Sequence, residues 1–301
     1  MSLSGHAAPG VCAAFSYQFE RALCWLVKSS SGAAVGIETD DDVTVRNEDE
    51  SRILEQDKHS IQSTAEPFGD RSKDLWNTLA NWLEALKANE VKAGKTRFVM
   101  VTNKVLPDCI ARRIGRAECS AEIDTCISDL EQAAMSPPVH IASLTKAVLD
   151  PLSRIHLRSL IRRCMCLDAT DDTAGNELRA QSISYLPLPD WCAPHADSLV
   201  NELLGWMHTY ALENWQQQKP AWITRQHFIN QLHAAIDARK RKITRERAEY
   251  LIPIGEDKVD EEKGRNGNVF VKQLHLVTQD DSIVDGAIRD FVRACHALGV
   301  R

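Results

Sequence analysis

Ile37-Glu38-Thr39-Asp40-Asp41-Asp42-Val43 and, after a polar interval, Leu54-Glu55-Gln56-Asp57-Lys58-His59 are the stretches that decide the fold. Ala33, Val35 and Ile37 alternate as a strand does, and the pattern runs on to Val45. Arg46 to Ser51 is polar and rich in acids and Asn, which predicts a turn. Ile53 to Ile61 predicts a second strand, so residues 33–61 predict a hairpin. Side chains two apart share a face of a strand, which puts Glu38 in phase with Asp42 and Gln56 in phase with Lys58. If those faces coincide, one cluster holds two carboxylates, an amide oxygen and an ammonium.

Phosphodiester hydrolysis uses such parts. Carboxylate and carbonyl oxygens hold a divalent cation that keeps several waters. The cation polarises the phosphate, and a lysine offsets charge that builds there. Gln56 stands where an acid gives the stronger ligand, at the cost of one negative charge. Gln18, on the border of the preceding helix stripe, is placed to reach the end of the hairpin. Asp40-Asp41-Asp42 also suits a solvated acidic turn, and acid-x-Lys is common on exposed strands, so spacing alone leaves both readings open.

Outward from the hairpin, residues 1–12 predict a loose arm. Phe15, Phe19, Ala22, Leu23 and Leu26 then make one helical stripe. Asp74 precedes a helix lined by Leu75, Leu79, Trp82, Leu83 and Leu86. Phe98-Val99-Met100-Val101 predicts a buried strand. Helices are predicted over 117–132 and 141–148, and a strand over 157–167. Leu186-Pro187-Leu188-Pro189 breaks the pattern. Helices follow over 197–215, 224–239 and 283–298, with an exposed loop at 256–268 and a strand over 270–277. The order predicts an α/β fold, a mixed sheet flanked by helices, then a mainly helical second domain. The expected division is 1–185 and 186–301.

The 301 residues carry a formal net charge of −6, so nucleic-acid binding needs a local patch rather than bulk charge. Arg239-Lys240-Arg241-Lys242 with Arg245 and Arg247, and Arg112 with Arg113 and Arg116, are the candidates; both also suit solvated helix ends. No run approaches the roughly 18 apolar residues that a membrane span needs. No secretory leader pattern opens the chain, and the nine Cys form no repeating framework, which predicts reduced thiols and a cytoplasmic protein. Cys164-x-Cys166 lacks the second tight pair of a zinc site. No G-x-x-x-x-G-K-[ST] motif is present.

Tyr17-Gln18 with Ala22-Leu23, then Glu38-x-x-Asp41-Asp42-Val43, then Glu55-Gln56-x-Lys58-His59 resemble the PD-(D/E)xK nuclease domain at the N-terminus of bacterial anti-phage effectors. These include the endonuclease effector of cyclic-oligonucleotide defence systems and the Lamassu nuclease subunit. Asp74-Leu75-Trp76 and Phe98 to Asn103 fit the same layout, so the resemblance covers about residues 15–105. It implies a restriction-endonuclease-like fold and a Mg²⁺- or Mn²⁺-dependent endodeoxyribonuclease acting on double-stranded DNA. By position, Asp42 and Gln56 resemble the metal ligands, Lys58 the catalytic lysine and Gln18 the polar residue of the first helix, with Glu38 as a helper. Asp41 competes with Asp42 for the ligand position, since a bulge would exchange them. Leu203-Leu204-Gly205-Trp206 and Thr224 to Leu232 resemble the assembly region of the nuclease-like component of three-component systems and of Lamassu. That resemblance implies a homo-oligomer when active, an SMC-like ATPase subunit and a small accessory subunit as partners.

Overall fold

The structure, a computed structural model, describes residues 8–251, 254–265 and 267–297. It divides into two compact units, the first ending at Leu232 and the second beginning at His233.

The first unit is mixed α/β. Helix α1 (Pro9–Lys28) leads into strands β1 (Ala34–Ile37), β2 (Val43–Arg46) and β3 (Arg52–Lys58). Helix α2 (Lys73–Lys87) crosses to β4 (Thr96–Thr102). Helices α3 (Ile110–Ile114), α4 (Ser120–Ala133), α5 (Ala142–Val148) and α6 (Arg154–Arg162) precede β5 (Cys164–Leu167). Helices α7 (Leu178–Ser184) and α8 (Ala196–Gln216), strand β6 (Ala221–Thr224) and the start of α9 (Arg225–Leu251) complete it.

The strands form one sheet in the order β5-β4-β3-β2-β1-β6. The meander β1-β2-β3 is antiparallel, as is the β1–β6 pair, while β3–β4 and β4–β5 are parallel. Parallel neighbours need a crossover, and α2 supplies the one between β3 and β4. Alternation along β4 sends Phe98 and Met100 to one face and Val99 and Val101 to the other. The first pair packs with Leu54 against Leu75, Leu79, Trp82, Leu83 and Leu86 of α2. The second packs against Tyr17 and Cys24 of α1 and Leu178 of α7. Each large side chain so buried contributes about 1.5–3 kcal/mol relative to exposure. The α2 stripe is therefore what fixes that helix to the sheet, helped by the Ser72 N-cap, which accepts from the Leu75 N–H at 3.2 Å.

Several expectations are corrected. The predicted first strand of the hairpin is two strands, because the chain turns at Glu38 to Asp42. Glu38 there has φ +49, its N–H bonds to the Asp42 carbonyl at 3.0 Å, and the Thr39 N–H bonds to the Asp41 carbonyl at 3.2 Å. Gly36 permits the close turn: a Cβ there would lie 2.9 Å from Thr39 Cγ2 and 3.0 Å from the Trp222 ring. Residues 154–162 are helical, with only Cys164 to Leu167 in a strand. The predicted arm is helical from Pro9, as expected of Pro in a first turn.

The expected domain division at 185/186 is also corrected. Strand β6 pairs with β1 over Ala34↔Thr224 to Ile37↔Ala221, so residues well beyond 186 belong to the sheet. The aromatic rings of Phe15 and Phe19 on α1 pack against His208 and Trp215 of α8, with centroids 5.4–6.5 Å apart.

In the second unit, α9 continues, followed by α10 (Glu256–Gly264), α11 (Val269–Val277) and α12 (Asp281–Ala297). Val259, Val271, Val284, Ile288 and Val292 form its small core. The loop predicted over 256–268 is largely helix α10. The strand predicted over 270–277 is helix α11, started by Asn268, whose side chain accepts from the Phe270 and Val271 N–H groups. No described helix is long and apolar enough to cross a membrane.

Candidate active site

The C-terminal end of β3 opens into a cleft of about 440 Å³ lined by Gln18, Asp42, Asp57, Lys58, His59 and Asp74, among others. Parallel pairing with β4 fixes this strand end, and Asn103 ties down the chain beyond it. Its amide donates to the Ser60 carbonyl at 3.0 Å and its Oδ1 accepts from the Ser60 N–H at 2.9 Å.

Asp42 ends the β1–β2 turn and lies across from Gln56. Its Oδ2 accepts from Gln56 Nε2 and, at 2.7 Å, from the Asp57 N–H. Burial pushes the Asp42 carboxyl above the usual carboxylate range. The Asp57 N–H, the Lys58 charge and hydrogen bonding from Gln56 and Gln18 oppose that rise. Glu38 is exposed at the start of the same turn; its carboxyl is also raised by burial, against hydrogen bonding from Gln18. Gln18 is 8% exposed on α1, with its Oε1 buried and unpartnered.

Asp42, Gln56, Lys58, Gln18 and Glu38 thus come together, but not by a shared strand phase. Glu38 and Asp42 meet because a tight turn brings its two ends side by side. Asp41 points elsewhere: its Oδ2 accepts from Trp82 Nε1 at 2.6 Å, and burial pushes its carboxyl up to about 7.

The opposite face of β3 carries charge that the alternation argument passed over. Arg21 is buried on α1 and donates from Nε to Glu55 Oε1 at 2.7 Å and from Nη2 to Glu55 Oε2, while Nη1 reaches the Thr173 carbonyl. Trp25 Nε1 adds a bond to Glu55 at 2.8 Å. Burial opposes the Arg21 charge, but the Glu55 carboxylate outweighs it and holds the guanidinium pKa above its usual value. Next along this face, Asp57 is 6% exposed and both its carboxylate oxygens are buried without a hydrogen-bond partner. Burial, then Glu55, raises its pKa well above the usual range. Tyr17 stacks near His59 with ring centroids 5.1 Å apart, and its hydroxyl donates to the Ala174 carbonyl at 2.6 Å.

Among the described residues, no three His, Cys, Asp or Glu side chains form a group that could hold a metal by themselves. A hydrated Mg²⁺ needs only one or two carboxylates; Asp42, Gln18 and Asp57 all line the cleft, and the Gln18 Oε1 and Asp57 oxygens are buried without a hydrogen-bond partner, a donor set that suits a hard cation. The expected basic patch at Arg112 and Arg113 is committed within the fold: Arg112 pairs with Asp168, and Arg113 with Asp108 and Asp129. The run from Arg239 lies along α9, where the side chains from Glu246 on, Arg247 included, lie outside the described residues.

No protein-family model matches this chain, and no curated protein matches it.

Proposed function

We propose that this protein is a metal-dependent endonuclease of the PD-(D/E)xK type. The observation that carries the reading is the meeting of Asp42, Gln56 and Lys58 at one strand end, beside Gln18 of α1. The element order α1-β1-β2-β3-α2-β4, with an antiparallel meander and a parallel fourth strand, supports a restriction-endonuclease-like core.

Asp42 and the Gln56 carbonyl would hold Mg²⁺ or Mn²⁺. When bound, the cation supplies Lewis acidity toward the phosphate. Lys58 orients the attacking water and offsets charge on the phosphate oxygens as the water oxygen bonds phosphorus and the bond to the leaving sugar oxygen breaks. Gln18 and Glu38 complete the outer site and hold Asp42 in place.

The substrate is double-stranded DNA and the setting is bacterial anti-phage defence in the cytoplasm, on the resemblance of residues 15–105. An unregulated DNase harms its host, so the resting form is inactive. Oligomerisation, or an SMC-like ATPase with a small accessory subunit, switches it on. The test is plasmid digestion with and without Mg²⁺ by wild type and Lys58→Ala. Mg²⁺-dependent cleavage lost in Lys58→Ala supports the reading; equal cleavage by both proteins overturns the site.

A second reading is a catalytically inactive scaffold on the same fold that links partner proteins. The Gln56 amide bond to Asp42 favours it, because that bond occupies an oxygen the cation requires. Calorimetry separates the two, since metal binding that depends on Asp42 excludes the scaffold. An RNase on the same fold is distinguished by a panel of DNA and RNA substrates.

A further inference from the structure

Asp57 stands between Gln56 and Lys58 but on the other face of β3. A buried carboxylate without a partner is unfavourable, and proteins pair such groups or place them at ions. Among the described residues the Asp57 carboxylate oxygens have no hydrogen-bond partner. The nearby cation, Arg21, is spent on Glu55 and the Thr173 carbonyl. Lys58 projects from the alternate face. The acids Glu55, Asp42 and Asp41 all act on Asp57 unfavourably.

Asp57 is nevertheless among the residues that line the cleft, together with Asp42, Gln18 and Lys58. Asp42 Oδ2 accepts from the Asp57 N–H at 2.7 Å, so the two carboxylates flank one peptide unit. Gln18 Oε1, the other buried unpartnered oxygen of the cleft, comes from the helix that covers this face.

We propose that Asp57 is a cation ligand of this cleft, which with Gln18 Oε1 supplies the oxygen donors and the negative charge that Gln56 withholds. The inference rests on the metal-dependent reading above and extends it to a residue outside the acid-x-Lys pattern. It accounts for two features together: a neutral side chain at 56 and a buried carboxyl group without a hydrogen-bond partner at 57. The carboxylates of Asp42 and Asp57 and the Gln18 amide oxygen, with waters filling the remaining positions, suit Mg²⁺ or Mn²⁺.

The experiment is calorimetric titration of Mn²⁺ into the full chain, stripped with chelator, as wild type, Asp42→Asn and Asp57→Asn. Asp57→Cys titrated with Cd²⁺ provides a direct test of ligation, read as a thiolate-to-metal absorption band in the ultraviolet. The expected result is Mn²⁺ binding weakened about tenfold or more by Asp57→Asn, and in Asp57→Cys a Cd²⁺ band in excess of the one that the nine free cysteines give the wild type. Wild-type binding that depends on Asp42 but stays within about twofold in Asp57→Asn, with no excess Cd²⁺ band, overturns the inference and leaves the nuclease reading standing. Absence of Asp42-dependent binding in the wild type overturns both. Should Asp57→Asn fail to fold, the excess Cd²⁺ band alone decides.

Discussion

The Gln56 carboxamide nitrogen donates to Asp42 Oδ2, so two residues assigned to one cation are joined by a bond that the cation must replace. Turning the amide about its last torsion presents Oε1 instead, at the cost of this bond and of the favourable contact it gives a buried carboxylate. Binding of the proposed cation would therefore cost the Gln56–Asp42 bond.

Gln56→Glu tests this directly. It replaces a neutral ligand by a charged one and removes the donor to Asp42. In the metal-free protein, two carboxylates then share a buried site, which lowers stability by about 1–2 kcal/mol. With Mn²⁺ the sign reverses, and affinity rises by about tenfold, or ~1.4 kcal/mol. Paired denaturant melts with and without Mn²⁺ check both signs; lower stability in both conditions would argue against a cation at Gln56.

The Arg21–Glu55 pair holds α1 to β3, with both side chains at most 1% exposed. Removing one partner strands the other charge in the core. Glu55→Gln is expected to cost about 3–5 kcal/mol, whereas an apolar double replacement such as Arg21→Met with Glu55→Leu is expected to cost much less. Urea unfolding of the three proteins makes the comparison. Similar losses for the single and double variants would mean that packing, not charge, dominates here.

Much of the frame is readable in the chain itself. The α2 stripe and the β4 apolar run carry strong periods, and the structure places both where the pattern does. Asp42, Gln56 and Lys58 stand out because acid-x-Lys is short-range. The turn at Glu38 to Asp42 is legible only as the alternative reading of Asp40-Asp41-Asp42 as an acidic turn, and nothing local reports the positive φ of Glu38 that closes it. The β1–β6 pairing is hidden for another reason: it joins Ala34 to Thr224, and no local pattern reports a contact so distant. Asp57 is passed over because alternation assigns it to the packed face, where a charge is not expected. Helix α11 reads as a strand because Val271 and Val277 are β-branched, and its Asn268 cap falls at the end of the predicted loop.

Acid sensitivity is expected to centre on Asp168. It is 5% exposed; burial raises its pKa, but the Thr170 hydroxyl and N–H, the Leu106 N–H and Arg112 overcome this and hold it below the ordinary value of 3.8. A carboxylate depressed in the folded state stabilises the protein above its unfolded pKa, and that stability is lost as pH falls through the folded value. Asp168→Asn should therefore lower stability at pH 7 and flatten its dependence on pH below about 4. Thermal melts of both proteins between pH 7 and pH 3 provide the measurement; parallel curves would place the acid response elsewhere.

A chain ending at Tyr185 is expected not to fold, although the Leu186-Pro187-Leu188-Pro189 break makes this look like a natural boundary. The cut removes α8 and β6. It exposes the β1 edge, with its four register pairs, and leaves Phe15 and Phe19 without the rings of His208 and Trp215. It also removes Arg225, whose N–H bonds to the Ala33 carbonyl at 2.8 Å. An unpaired apolar strand edge is a template for aggregation. A chain ending at Leu251 keeps all of these and is expected to remain monodisperse with a cooperative melt. Size-exclusion chromatography of the two truncated proteins decides between the boundaries: a soluble, cooperatively melting 1–185 fragment would show that β6 is an accessory to the sheet rather than part of its stable core.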